Sequence, residues 1–168
     1  MAPFARKLAD RIDRFIDLVG RATSWLALGI ALVMGSNVLL RYGFSIGSIW
    51  MQELEWHIMV PICVFGMSYA LRHGEHVRVD VVFQYFGPRT KLMVEVITAV
   101  IAMLLSVIVI WLCIPYVWQS WSIGEGTANP GGIDYRYIVK SLIPIGFVLF
   151  FAQSLSEAIK NYFAWRSA

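Results

Sequence analysis

Residues 93–117 read MVEVITAVIAMLLSVIVIWLCIPYV, 25 consecutive positions with a single charge. A hydrocarbon core roughly 30 Å thick needs about 20 residues of α-helix at about 1.5 Å each, so this stretch is long enough to cross a bilayer. Three more follow the same rule. They are Ala22 to Leu40, Ile49 to Leu71 and Ile138 to Ile159. The chain reads as an all-α integral membrane protein of one domain, with 58% hydrophobic and 15% charged residues in 168 positions.

Lys and Arg beside membrane spans are retained mainly on the cytoplasmic side. Arg6, Lys7, Arg11, Arg14 and Arg21 precede span one; Arg72, Arg78, Arg89 and Lys91 separate spans two and three; Lys160 and Arg166 follow span four. Those are 11 of the 14 basic residues, and only Arg41, Arg136 and Lys140 fall on the other side. Both termini and the middle loop are therefore expected inside. The same placement explains the net charge of +3, so anionic lipid rather than nucleic acid is the expected partner.

Ahead of span one, Phe4, Leu8, Ile12, Phe15, Ile16 and Val19 alternate at helical spacing with Arg6, Lys7, Asp10, Arg14 and Asp17. Residues 1–21 are expected to form an amphipathic helix lying on the cytoplasmic surface, either adsorbed to lipid or bracing a partner. Span one itself is longer than a signal-peptide core and no small-x-small cleavage site follows it, which favours an uncleaved anchor. Within it, Ala27, Ala31 and Gly35 form a small-residue stripe suited to close helix packing.

Span two opens on Trp50-Met51-Gln52-Glu53-Leu54-Glu55-Trp56-His57. A carboxylate at that depth is costly unless paired, and the short Gly43/Gly47 turn makes Arg41 the expected partner of Glu53. Glu53 and His57 share a face and suggest a proton or cation relay, but Ile58, Met59, Val60, Pro61 and Ile62 end the polar path. Pro61 and Pro144 are expected to kink spans two and four. Cys63 and Cys113 stand alone and are expected to be free, which excludes a membrane thiol oxidoreductase with vicinal cysteines.

His73, Glu75, His76 and Asp80 in the middle loop raise a metal site, but a solvated turn carrying topogenic arginines is the favoured account of them. His73 and His76 share one interfacial segment and His57 belongs to the opposite face, so no facing pair of haem ligands is expected. Neither a phosphate-binding P-loop nor a nucleophile elbow is present, and no cofactor, metal or enzymatic activity is expected. The outer loop, Gly124-Glu125-Gly126-Thr127-Ala128-Asn129-Pro130-Gly131-Gly132, is the one sizeable external segment. Aromatic residues flank it as an interfacial belt.

In order and spacing, several of these landmarks resemble the small membrane subunit of tripartite ATP-independent periplasmic transporters, the DctQ family. They are Asn37 and Arg41-Tyr42 closing span one, Trp50 and Gln52-Glu53-Leu54 opening span two, Gly66 within it and His76-Val77-Arg78-Val79-Asp80 after it. Gly131-Gly132 and the run from Lys140 to Pro144-Ile145-Gly146 complete the pattern. Many members carry paired glutamates where this chain has Gln52-Glu53. The resemblance implies a non-catalytic subunit that scaffolds a large membrane transport subunit, while a periplasmic binding protein captures the substrate and uptake is coupled to sodium. The wording around Glu53 is similar to a branch serving 2-oxo acids, mannitol or other organic acids. On this reading Ala27, Ala31, Gly35 and Pro61 pack on the large subunit, and Glu125, Asp134 and Arg136 orient the binding protein. Two other classes compete: the membrane anchor of a redox complex, revealed by haem absorbance, and an independent small carrier, revealed by uptake with this chain alone.

Overall fold

The computed structural model describes residues 3–75 and 85–167. Among the described residues there are four helices: α1 (Pro3–Phe44), α2 (Ile49–His73), α3 (Pro88–Ser122) and α4 (Arg136–Ser167). Each is long and apolar enough to cross a membrane. They overrun the apolar runs because capping residues, not hydropathy, set helix ends. Ser48 caps α2 by accepting the Met51 amide at 3.3 Å. Gly74 ends it in the left-handed region (φ 72°), with Glu75 N bonded to Ala70 O at 3.0 Å. Pro88 opens α3 directly after Gly87, where its missing N–H has no helical partner to lose. Pro61, Pro115 and Pro144 are all accommodated inside helices.

The expected separate surface helix is corrected here: residues 3–21 continue without a break into span one. The reason is a repeat of seven. Ala9, Ile16, Thr23, Ile30 and Asn37 fall on one line, and Ile12, Val19, Leu26, Val33 and Leu40 on the next, all buried or half-buried. This 3–4 spacing is a coiled-coil seam, and it turns the same face of α1 toward its neighbours from its N-terminal end to its C-terminal one. Of the expected apolar set, Ile12, Ile16 and Val19 lie on the seam, whereas Phe4, Leu8 and Phe15 face outward.

α4 is the hub. It packs extensively on α3 and also meets α2 and α1, while α1 and α2 pair with one another; among the described residues, α3 has its substantial contacts with α4 alone. Among the described residues, the buried hydrophobic ones are only Ala9, Ile16 and Ala99, whereas Thr23, Asn37, Glu53, Ser68, Ser106, Gln153, Ser154 and Ser156 are buried. Such an inversion suits a lipid solvent. Apolar side chains gain nothing by hiding from hydrocarbon, so small and polar groups occupy the helix contacts.

Two glycines set the closest crossings. A Cβ on Gly20 would run into the Tyr69 ring, and one on Gly146 would lie 2.5 Å from Val64 Cβ and 3.1 Å from its carbonyl oxygen. Gly146→Ala is accordingly expected to force α2 and α4 apart at a cost of about 1–3 kcal/mol, the usual range for overpacking. Gly35→Ala, with nothing within 4 Å, should leave the melting temperature of the isolated chain unchanged. Equal melting of the two variants in nanodiscs would refute this account of the crossing.

Candidate functional site

The polar groups of the chain gather at its two ends. At one end, Glu53 sits one turn into α2 and is only 8% exposed, facing the loop that joins α3 to α4. Its Oε1 accepts from Thr127 Oγ1 (2.5 Å) and Asn129 Nδ2 (3.0 Å), and its Oε2 accepts from the Ile133 amide (2.6 Å). Thr127 Oγ1 in turn accepts the Asn129 amide at 3.2 Å. One carboxylate thus closes a loop 74 to 80 residues away in sequence.

Glycine makes that approach feasible. A Cβ at Gly132 would lie 2.5 Å from Glu53 Oε2 and 2.7 Å from Thr127 Cγ2, so only a bare backbone fits there. Gly131 (φ 81°) and Tyr135 (φ 64°) take left-handed turns on either side. The loop's neck is tied separately: Arg136 N bonds Glu125 O at 3.1 Å, and Lys140 donates to the Glu125 carboxylate while lying 4.2 Å from the Tyr116 ring centre. The Lys140 hydrogen bond holds the Glu125 carboxyl below its ordinary range.

The ion pair expected between Arg41 and Glu53 is not formed, and this corrects the sequence reading. Glu53 turns inward to the outer loop, whose hydroxyl, amide and backbone donors satisfy it, and Arg41 turns outward to the Tyr42 ring (5.0 Å) and hydroxyl (3.4 Å). α1 and α2 are linked nearby by a different pair, Asn37 Nδ2 donating to Glu55 Oε1 at 3.1 Å. The His57 ring bonds the backbone carbonyl of Glu53 at 2.6 Å rather than its carboxylate. Asp134 is exposed, and Glu125 and Arg136 are half-buried beside the neck. Ala27, Ala31 and Gly35 are exposed and unoccupied by other helices, and Pro61 is half-buried within α2.

At the opposite end of the bundle lies a network that the sequence reading missed. Arg72, at the end of α2, makes a two-pronged contact with Asp17 (Nε to Oδ1 2.6 Å, Nη2 to Oδ2 2.7 Å) and reaches Asp13 Oδ2 with Nη1 at 2.6 Å. Asp13 also accepts from Ser156 Oγ (2.7 Å) and Lys160 Nζ (3.1 Å) of α4. Gln153 and Lys160 both donate to Glu157, at 3.0 and 2.6 Å. Three helices meet in this one knot. The available signal was the pair Asp13 and Asp17, one turn apart beside the seam of α1. His73 turns to Asp17 at 3.2 Å; His76 and Asp80, with the rest of the motif 76–80, lie outside the described residues. Cys63 and Cys113 are free.

Comparison with known proteins agrees with this architecture. Residues 30–163 match the family model described as tripartite ATP-independent periplasmic transporters, DctQ component. The small permease protein TeaB of the ectoine TRAP transporter of Halomonas elongata is 26% identical over 141 residues, covering 81% of this chain and 71% of that protein. The family implies a large membrane subunit and a periplasmic binding protein as partners. With four apolar spanning helices, the protein is a multi-pass protein of the bacterial inner membrane. The chain belongs to the DctQ family: it is a small permease subunit of a TRAP transporter.

Proposed function

We propose that this subunit performs no chemistry and carries no substrate itself, but holds the large transport subunit in the bilayer and presents a shaped outer loop to the binding protein. The observation that carries this reading is the placement of bonded polar groups. Glu53 and Glu125 are engaged with the outer loop and its neck, and Asp13, Asp17 and Arg72 with the inner knot, while the middle of the bundle is made of apolar and small side chains. Fixed ends with an apolar waist suit a scaffold better than a conduit. Both termini face the cytoplasm on this reading, following the basic residues, which also favour contact with anionic lipid over nucleic acid.

Coupling to sodium and an organic-acid substrate follow from the family resemblance, and the relative from Halomonas elongata widens the candidates to ectoine. Docking of the binding protein is assigned to Glu125, Asp134 and Arg136 at the rim of the outer loop, where charge steers association. Reconstitution tests the whole assignment. Proteoliposomes holding both membrane subunits should take up substrate only with the binding protein and an inward sodium gradient, and those holding this chain alone should take up none. Uptake by the chain alone would refute the scaffold reading.

A further inference from the structure

The seven-residue register of α1 leaves two outward flanks, and they differ. One carries Phe4, Leu8, Phe15, Leu18, Trp25 and Leu32, all exposed, with Phe4 at 78% and Leu18 at 67%. The other carries Lys7, Asp10, Arg14 and Arg21 in the same cytoplasmic half. Within the bilayer lipid would cover an apolar flank at no cost. Beyond it, water would not.

The apolar flank is longer than the bilayer can cover. Counting back from Leu40, about 30 Å of hydrocarbon accounts for roughly 20 residues and ends near residue 20. A tilt of about 40°, at the upper end for membrane helices, moves that edge only to about residue 14. The knot of Asp13, Asp17, Arg72 and Lys160 lies at this same level and marks where charge is tolerated. Phe4 and Leu8 therefore stand past the hydrocarbon at either angle.

We infer that this flank, and not the Ala27/Ala31/Gly35 stripe, is the face on which the large membrane subunit packs, running from the bilayer into the cytoplasm. The inference rests on the subunit assignment made above. Arg11 lies within the flank and is exposed, so the covering surface is an apolar one with a carboxylate set opposite that guanidinium. Lipid alone cannot supply such a cover at Phe4 and Leu8.

Photo-crosslinking in the intact complex tests this directly. Benzoylphenylalanine placed at Leu8 or Phe15 should attach to the large subunit, and at Ala31 it should not. Attachment from Leu8 and Phe15 to lipid or to a second copy of this chain would overturn the inference, as would attachment to the large subunit from Ala31 alone. In parallel, the L8S/F15S double variant should retain about tenfold less large subunit on co-purification, the scale of losing central apolar contacts, with an unchanged melting temperature for the isolated chain. Retention equal to the parent would remove this surface only. Failure of the unaltered chain to retain a large subunit would instead refute the assignment on which the inference depends.

Discussion

Arg72→Gln is expected to destabilise the isolated subunit by about 1–3 kcal/mol, between the limits for exposed and buried ion pairs. Among the described residues the guanidinium is the only group joining Asp13 and Asp17 to α2 besides His73, and its side chain is 21% exposed against 13% and 19% for the two aspartates. Removing it strands Asp17 more than Asp13, which keeps Ser156 and Lys160. A double-mutant cycle should therefore find strong coupling between Arg72 and Asp17, with weaker coupling between Arg72 and Asp13. Thermal melting in nanodiscs gives both values. Additive losses for Arg72→Gln and Asp17→Asn would mean that the two-pronged contact adds nothing to stability.

Replacing Glu53 should loosen a loop that is remote from it in sequence. With Glu53→Ala, three donors lose their shared acceptor, and amide exchange at Ile133 should rise by roughly tenfold or more, as expected for losing a bond to a charged group. Glu53→Gln is the informative intermediate. Its single carbonyl oxygen can still serve Thr127 and Asn129, but its NH₂ then meets the Ile133 amide, donor against donor. Exchange should thus fall between the parent and Ala. Arg41→Gln should leave the loop as it is, because Arg41 faces Tyr42. An equal effect from Arg41→Gln would restore the ion pair expected from sequence.

The comparison of Glu53 with Arg41 shows where sequence was legible and where it was not. Spans were readable because hydropathy over about 20 residues is set by the solvent the helix must enter, independent of its neighbours. Partners of a buried carboxylate depend on which distant segment folds back over it. Arg41 was favoured because it is near in sequence; Thr127, Asn129 and Ile133 won because the Gly131-Gly132 turn brings bare backbone and short donors to within 2.5–3.0 Å. At the other end, Arg72 reads as a topogenic charge in isolation, and only the continuation of α1 past the membrane sets Asp13 and Asp17 beside it. That continuation was itself written in the seam. Ala9 and Thr23 concealed it, being too small and too polar to register as members of an apolar stripe.

The unbroken seam of α1 also makes helix length a matter of phase. Each residue turns the helix by about 100°, so one residue inserted near Ser24 would rotate everything before it relative to the membrane half. Asp13 would swing away from Arg72 and Lys160, and the charged flank would be driven toward α2 and α4. Seven inserted residues would add about 10 Å and restore the facing. The two ends of this protein are therefore geared together through α1, and evolution can lengthen that shaft only in whole turns of the repeat.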